Sequence, residues 1–194
     1  PVAWQHRIVC QSIMAGTPFE AAMMKDGVDE TAVEGAANQA YDIPNLLVEW
    51  QKAPAGVPVL WWRSVGHSHT AFAVESFIDE LAHDAGKDPY EFRRKLLEHE
   101  KRPLGILEAA AKAAGWGKPL PKGVFRGIAT TEPYGSYTAA VVDLSVSDQG
   151  AIKIHRVVQA IDCGYVVNPD NINAQIQGST VWAATAAMWG EITL

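Results

Sequence analysis

The sequence of 194 residues contains few cysteines, no long block of basic residues and no long hydrophobic run. Cys10 and Cys163 are too few for a disulfide scaffold and match no metal-ligand spacing, so two buried thiols are expected. Because the net charge is −6 and Lys and Arg are scattered, neither a nucleic-acid surface nor membrane contact is expected. The longest apolar stretches are far shorter than the ~20 residues of a membrane span. A globular protein that binds a small molecule or another protein is therefore expected.

The first half of the sequence predicts strand segments followed by helices. Strands are predicted at 46–50 and 57–62, where branched and aromatic residues follow Pro44 and the breaker Pro-Ala-Gly at 54–56. Helical periodicity then begins at Thr70, with Ser68 or Thr70 as the expected N-cap and Gly86 left-handed just past the end. One face of this helix is expected to be buried, and its residues are Val74, Phe77, Ile78, Leu81 and Ala82. The polar residues Glu75, Asp79, Glu80 and His83 are expected on the exposed face.

Two further helices are predicted directly after the first. Asp88, Pro89 and Glu91 supply an N-cap acceptor, a first-turn proline and the Glu of a capping box, so a helix is expected from Asp88 to about Glu98. It should bury Phe92, Leu96 and Leu97 and leave Arg93, Arg94 and Lys95 solvated. The next helix is expected from near Pro103 to Gly115. Its expected buried residues are Ile106, Leu107, Ala110, Ala111 and Ala114.

The second half of the sequence predicts antiparallel strands and one buried helix. Strands are expected at 124–131, 137–147 and 151–161, with a hairpin turn at 147–150, and the alternation slips at His155-Arg156 as in a β-bulge. The apolar stretch 172–189 predicts a buried helix, and 190–194 resembles a strand. The fold class is therefore α+β, with helices packed on a mixed or antiparallel sheet. We expect 1–194 to be a single fragment of a longer protein, with strand segments and helices in 1–122 and antiparallel strands plus the helix in 123–194.

The segment 61–69 is the first candidate site. Arg63 lies at a strand end and is followed by Gly66 and polar residues that lead into a helix. This pattern is typical of a loop that binds an oxyanion or a phosphate. The alternative is that Arg63 forms a surface salt bridge. His67 and His69 suggest a metal, but a site needs three or four ligands and no Cys or carboxylate lies at ligand spacing, so no metal site is predicted.

Two later segments also contain candidate polar residues. Asp162 and Cys163 lie at a strand-to-helix junction, where Asp and Gly favour a tight connection; the functional alternative places them beside a cofactor. Cys163 has no His at motif spacing and is a poor nucleophile candidate. Gln175 and Gln177 can hydrogen-bond a buried group, although amides more often bond to neighbouring backbone.

Several motifs occur in the order of one protein family: Tyr41-Asp42-Ile43-Pro44-Asn45, Trp62-Arg63-Ser64-Val65-Gly66, 86–93, 160–164 and 175–178. The chain resembles the molybdenum-binding subunit of the xanthine dehydrogenase and aldehyde oxidase superfamily. It resembles most closely the beta subunit of isoquinoline 1-oxidoreductase and its aldehyde dehydrogenase relatives. The resemblance covers nearly all of the sequence from about Gln39 onward.

The resemblance implies an enzyme that contains molybdenum held by molybdopterin cytosine dinucleotide. Such an enzyme places a water-derived oxygen on an aldehyde or N-heterocycle and passes electrons to a small [2Fe–2S] subunit. The Arg-x-x-Gly loop of the family implies that Arg63 and Gly66 bind the cofactor and that Val65 lines the substrate pocket. Compartment is not predicted.

The sequence departs from the family pattern at several positions. Val65 replaces an aromatic pocket wall, which implies a wider pocket, and Ala32 replaces an Arg of purine-oxidising members, which disfavours a xanthine-like substrate. The catalytic Glu of a Gly-Glu motif is expected beyond Leu194, because Gly190-Glu191 follows 175–178 too closely, and the Gly-Gln cofactor loops are absent. The fragment alone is therefore expected to bind no molybdopterin and to be inactive. The alternative is a non-catalytic assembly or interaction module with the same fold.

Overall fold

The computed structural model describes residues 1–54, 56–191 and 193, and it confirms the α+β class. In chain order the elements are β1 (Trp4–Cys10), α1 (Glu20–Met23), β2 (Met24–Lys25), β3 (Val28–Asp29), α2 (Glu30–Val33), β4 (Leu46–Lys52), α3 (His67–Asp84), α4 (Pro89–Leu96), α5 (Lys101–Ala114), β5 (Phe125–Thr131), β6 (Tyr137–Val146), β7 (Ile152–Asp162) and α6 (Pro169–Trp189). Of the strand expected at 190–194, Ile192 and Leu194 lie outside the described residues. Gly190 ends α6, and Glu191 and Thr193 are not in a strand.

The N-terminal sheet contains two parallel strands, β1 and β4, and β2 and β3 form a separate short antiparallel pair. The second strand predicted at 57–62 is wrong, since this segment is irregular up to the start of α3. Pro58 lacks the N–H that a ladder needs, and no neighbouring strand pairs with the described part of the segment. Trp61 and Trp62 instead lie half-exposed on the surface.

Helix α3 begins at His67, three residues before the expected start. Neither Ser68 nor Thr70 caps it, because Gly66 occupies the N-cap position and offers no side chain. Gly86 has φ 61° just past the end, as predicted. Val74, Ile78 and Ala82 are buried as expected, whereas Phe77 is 44% exposed and packs edge-on against the Trp4 ring at 5.0 Å.

Glu75 and Arg93, both predicted to be solvated, are buried against each other. Arg93 Nε donates to Glu75 Oε2 at 3.0 Å, and its Nη1 donates to Asp79 Oδ1 at 2.5 Å. The Glu75 carboxylate also accepts from the Tyr41 hydroxyl at 2.7 Å and from the Thr130 amide at 2.9 Å. Burial raises the pKa of the Glu75 carboxyl, although the charge of Arg93 opposes that shift. We call these five residues the Glu75–Arg93 network, and it ties α3 to α4, β5 and the Tyr41 segment.

Helices α4 and α5 follow the predicted pattern closely. Asp88 caps α4 by accepting from the Tyr90 and Glu91 amides, with Pro89 in the first turn. The helix ends at Leu96, about two residues earlier than expected, and Phe92 is only partly buried. Helix α5 ends at Gly115, whose φ is 71°. All five side chains expected to be buried in α5 are buried: Ile106, Leu107, Ala110, Ala111 and Ala114.

The C-terminal sheet is antiparallel in the order β5-β6-β7, as predicted. The turn closes where Gly150, at φ 82°, donates to the Ser147 carbonyl at 2.8 Å. The predicted bulge is confirmed: Asp143 pairs with Arg156 and the next residue pairs with Ile154, so His155 is the extra residue. The face with Ala139, Val141 and Ile128 contributes to the hydrophobic core together with α5.

Helix α6 begins at Pro169, after the side chain of Asn168 caps its first turn. The expectation that this helix is buried is wrong, because none of its residues is buried. Val181 is 67% exposed and Trp189 is 70% exposed. Apolar composition predicted burial here, but the helix leaves the sheet at the end of β7 and contacts little of the core. Within the part of the chain that the structure describes, no helix is both long and apolar enough to cross a membrane.

Candidate functional site

The segment 62–66, which we call the Arg63 loop, has an unusual backbone. Ser64 has φ 69° and Val65 has φ 45°, so two successive residues other than glycine are left-handed. A β-branched residue such as Val65 rarely adopts this conformation, and each such residue costs on the order of 1–3 kcal/mol. The loop is closed by the Val65 amide, which donates to the Trp62 carbonyl at 3.0 Å. Strain of this kind is frequent at functional sites, where the surrounding structure holds it.

The side chain of Arg63 is exposed and contacts α6. Its Nη2 donates to Gln175 Oε1 at 2.8 Å, which brings together two segments that the sequence marked separately. Among the described residues, no carboxylate lies within ion-pair distance of the guanidinium, so the surface salt bridge of the alternative interpretation is not found there. A guanidinium has five N–H donors, and most of those of Arg63 have no partner within the described part of the chain.

Arg63 lines an open cleft of about 660 Å³ between the loop, the C-terminal sheet and α6, which we call the Arg63 cleft. Its walls include the rings of Trp62 and Trp182, whose centroids are 5.4 Å apart. The other lining residues are Ser64, His67, Ser68, Ala71, Phe72, Thr131, Pro133, Thr138, Ala139, Ala140, Gln159, Ile176, Ser179, Ala183, Ala186 and Ala187. None of these described lining residues is acidic, so Arg63 gives the cleft a local positive charge although the chain is acidic.

Val65 and Gly66 line a second cleft, of about 470 Å³, which we call the Val65 cleft. Its walls are largely apolar, with Cys10, Asp29 and His69 among the polar members. The remaining lining residues are Val9, Gln11, Ile13, Thr31, Ala32, Ala53, Pro54, Val59, Leu60, Trp62 and Ser68. The structure therefore places Arg63 in one cleft and Val65 with Gly66 in the other, with the Arg63 loop between them.

Gly66 is buried where the loop meets the segment 31–34. A Cβ atom at this position would lie 2.2 Å from the Thr31 carbonyl oxygen and 2.9 Å from Glu34 Cβ. The Gly66 amide donates to Glu34 Oε2 at 3.1 Å. Close packing thus requires a glycine here, while the cofactor contact implied by the resemblance stays a prediction.

The two histidines of the segment contact different parts of the chain. His67 is 5% exposed, and neither of its ring nitrogens has a hydrogen-bond partner among the residues that the structure describes. Its Nδ1 lies 3.8 Å from Glu34 Oε2. His69 Nε2 lies 3.0 Å from the Ala32 carbonyl oxygen. Within residues 1–54, 56–191 and 193, no three His, Cys, Asp or Glu side chains are grouped to bind a metal. Glu34 was missed by the sequence reasoning, because it lies 32 residues before Gly66 and no local pattern links the two.

Asp162 has a structural role at the end of β7. Both of its carboxylate oxygens accept from Arg102 at 2.9 Å, and one also accepts from the Gly164 amide at 2.9 Å. The hydrogen bonds from Arg102 lower the pKa of Asp162 to about 2. These contacts agree with the tight connection predicted here. Cys163 and Cys10, both expected to be buried, are half-buried.

The donors of the Arg63 cleft suit an anionic group attached to a heterocycle. Arg63 supplies a planar, positively charged guanidinium with several N–H donors. The cleft is also lined by the Gln159 amide and by the hydroxyl groups of Ser179 and Thr131. Trp62 and Trp182 supply aromatic surface. The absence of acidic groups from the described walls removes the repulsion that an anion would otherwise meet.

Two family models match the chain, and both are described as a molybdopterin cofactor-binding domain. One matches residues 14–97 and the other matches residues 73–194, which is more than half of the chain.

The chain is also similar to three curated proteins. It is 31% identical to the membrane-bound aldehyde dehydrogenase [pyrroloquinoline-quinone] of Gluconacetobacter polyoxogenes, over 96% of this chain and 26% of the relative. It is 26% identical to the beta subunit of isoquinoline 1-oxidoreductase from Brevundimonas diminuta, over 77% of this chain and 20% of the relative. It is 31% identical to a nicotinate dehydrogenase subunit of Pseudomonas putida, over 79% of this chain and 14% of the relative. The chain thus spans about a quarter or less of the length of each.

Proposed function

This chain belongs to the molybdopterin cofactor-binding domains of the xanthine dehydrogenase superfamily, and from that premise we propose that it forms part of the active site of a molybdenum hydroxylase. The observation that carries the proposal is Arg63, an exposed cation on a strained loop beside a cleft whose described walls contain no acidic residue. The names of all three relatives, an aldehyde dehydrogenase, an oxidoreductase and a nicotinate dehydrogenase, support an oxidation reaction. A non-catalytic module with Arg63 in a salt bridge lacks this support.

Arg63 binds the anionic part of molybdopterin cytosine dinucleotide in this proposal. The hydrogen bond to Gln175 orients the guanidinium, and Gln159 and Ser179 offer polar contacts to the heterocyclic part. When bound, this cofactor supplies the molybdenum centre at which a water-derived oxygen is transferred to the substrate. Gly66 contributes by allowing the close approach that fixes the loop.

The Val65 cleft receives the substrate, an aldehyde or an N-heterocycle. Its largely apolar walls fit a neutral organic molecule better than a charged one. Val65 is smaller than an aromatic residue and leaves room for a ring. Arg63 and Val65 are two residues apart on the strained loop, and Arg63 lines the Arg63 cleft while Val65 lines the Val65 cleft. In this proposal the bound cofactor and the substrate therefore lie on the two sides of one loop.

The electrons leave through a [2Fe–2S] partner subunit, and the chain of 194 residues is inactive by itself. Two relatives are named as subunits, which supports a multi-subunit enzyme. The described walls of the Arg63 cleft contain no carboxylate to act as a general base, and the chain spans only 14 to 26% of the relatives' lengths. Residues 1–194 therefore supply one part of the site. Turnover, or molybdopterin bound to the purified chain, would contradict this part of the proposal.

Hydrogen–deuterium exchange of the assembled enzyme tests the cofactor position. We expect peptides covering 62–68 and 175–187 to exchange more slowly in enzyme that contains the cofactor than in enzyme from a host unable to make molybdopterin. The peptide covering 89–97 is the control, because α4 contributes no residue to the Arg63 cleft. Equal exchange of 62–68 in both preparations would overturn the proposal.

Val65→Phe tests the substrate position. We expect the larger ring to narrow the cleft and to lower kcat/KM for isoquinoline relative to acetaldehyde by about tenfold, the size of effect that pocket sterics produce. Val181→Phe is the matched control, because Val181 is exposed on α6 and does not line the Val65 cleft. An unchanged ratio in Val65→Phe would show that Val65 does not contact the substrate.

A further inference from the structure

We infer that Glu34 is the positioning residue of the Arg63 loop: its carboxylate holds the Gly66 amide and so fixes where Arg63 is presented to the Arg63 cleft. The inference rests on the proposed function in one respect only, which is the assignment of that cleft to the cofactor. The contacts that hold the loop are independent of that assignment.

Glu34 lies at the centre of the contacts beneath the loop. Its Oε2 accepts from the Gly66 amide at 3.1 Å and from the Tyr134 hydroxyl at 3.3 Å, and it lies 3.8 Å from His67 Nδ1. The Glu34 side chain is only 23% exposed. A single carboxylate oxygen therefore joins the loop, the first residue of α3 and the β5–β6 connection.

The carboxylate also replaces the missing N-cap of α3. Ser68 and Thr70 do not cap the helix, because their hydroxyls donate to the Val65 and Gly66 carbonyls. The Gly66 amide is one of the donors at the helix N-terminus that need an acceptor from outside the helix. Glu34 supplies that acceptor, and its negative charge lies where the dipole of this 18-residue helix favours an anion.

Close backbone packing fixes Glu34 against α3. Thr70 Oγ1 lies 2.5 Å from the Glu34 carbonyl oxygen and 2.9 Å from the Gly66 carbonyl oxygen, so its single hydroxyl hydrogen is shared between the two acceptors. Gly35, at φ 79°, follows directly, and a Cβ there would lie 2.6 Å from Thr70 Oγ1. These contacts hold the backbone at 34–35 against the first turn of α3, next to the Gly66 amide that the carboxylate accepts from. Because Gly66 immediately follows the strained Ser64 and Val65, holding its amide holds the strained conformation of the loop.

The first test measures the exchange rate of the Gly66 amide by NMR in the full chain. Glu34→Ala removes the acceptor, and we expect exchange to be about tenfold faster, the factor that corresponds to about 1.4 kcal/mol. Glu34→Gln keeps an amide oxygen as acceptor and should restore most of the protection. Glu30→Ala is the control, since Glu30 lies in α2, directly before Glu34, and pairs with Lys25. The Leu107 amide in α5 reports global opening and should not change.

Three results would overturn the inference. The first is a Gly66 amide in Glu34→Ala that exchanges at the unsubstituted rate. The second is equal acceleration of Gly66 and Leu107, which would show a general loss of stability in place of a positioning role. The third is a Glu34→Gln variant in which the Gly66 amide exchanges as fast as in Glu34→Ala.

The second test uses molybdenum content of the assembled enzyme. We expect Glu34→Ala to lower the molybdenum content. The double variant with Arg63→Ala and Glu34→Ala should contain no less molybdenum than Arg63→Ala alone, because Glu34 acts through Arg63. Additive losses would overturn the positioning role. If Arg63→Ala leaves the content unchanged while Glu34→Ala still accelerates Gly66 exchange, the proposed function fails and the positioning of the loop stands.

Discussion

The Glu75–Arg93 network and the Arg63 cleft both contain an arginine among polar groups, but they differ in what those groups contact. Arg93 is fully buried and is paired with Glu75 and Asp79 at 3.0 and 2.5 Å. Arg63 is exposed and bonds only to the neutral amide of Gln175 among the described residues. The network satisfies its own charges, whereas the cleft has a cation without an anion among its described walls.

This difference distinguishes a structural arginine from one available for binding. A buried cation that lost its partners would cost several kcal/mol, so Arg93 can exist only as part of its network. A solvated cation costs little to leave unpaired and can exchange water for a ligand. Substitutions in the network should therefore change stability, and substitutions in the cleft should change binding.

The largest effect on stability is expected from Arg93→Met. Removing the cation leaves the Glu75 carboxylate buried without its charged partner, which should lower the free energy of unfolding by about 3–5 kcal/mol. Urea unfolding followed by circular dichroism measures this loss. Arg94→Met is the matched control, because Arg94 is 41% exposed and pairs with Glu91 and Glu108 on the surface. If the urea midpoint shifted equally in the two variants, the buried Arg93 would contribute no more to stability than the surface Arg94.

A smaller loss is expected from Gly66→Ala, at the point where the Arg63 loop meets the segment 31–34. The added Cβ would clash with the Thr31 carbonyl, and overpacking of this kind costs about 1–3 kcal/mol. Gly105→Ala is the control, and the opposite effect is expected for it. Gly105 lies in α5, and beyond the backbone of its own helix no described residue lies within 4 Å of its Cβ position. Alanine there should therefore stabilise the fold by about 0.5–1 kcal/mol. In thermal unfolding, the Tm should fall in Gly66→Ala and rise in Gly105→Ala. A neutral Gly66→Ala would contradict the close packing of the loop.

A still smaller effect is expected at Asp162, just before α6. Its pKa of about 2 lies below the ordinary value of 3.8, so its ion pair with Arg102 stabilises the fold above pH 4 and is lost as the pH falls toward 2. The difference in unfolding midpoint between the unsubstituted chain and Asp162→Asn should therefore be constant above about pH 5 and vanish near pH 2. Asp148→Asn, which removes a carboxylate from the exposed hairpin turn, is the control. A difference that persists unchanged at pH 2 would contradict the role of the charge.

Features that depend on neighbouring residues were predictable from the sequence. Asp88 and Pro89 start α4, and Gly115 ends α5, because caps and helix ends are decided within one turn of the chain. The extra residue at His155 was visible as a break in alternation. The family was also predictable, since its motifs keep their order along the sequence.

Features that depend on distant residues were not predictable. Periodicity placed Glu75 and Arg93 on solvated faces, because it cannot show that two helices bring them together. The composition of α6 predicted burial, but burial depends on a neighbouring surface that composition does not specify. The sequence marked Arg63 and Gln175 separately, and their contact across 112 residues appeared only in the fold. Glu34 has no local signal for capping a helix 32 residues later.

The contrast between the structural Arg93 and the binding Arg63 is tested most directly by the Arg63→Ala variant of the assembled enzyme. The quantity to measure is its molybdopterin content per folded molecule. The substitution should change the free energy of unfolding by no more than about 0.5 kcal/mol, since Arg63 is exposed and unpaired with any described carboxylate. Arg7→Ala is the control, because Arg7 is an exposed arginine on β1 paired with Glu49. We predict that molybdopterin content falls at least about tenfold in Arg63→Ala and stays unchanged in Arg7→Ala. An Arg63→Ala enzyme that is as stable as the unsubstituted one and retains its full molybdopterin content would contradict the account.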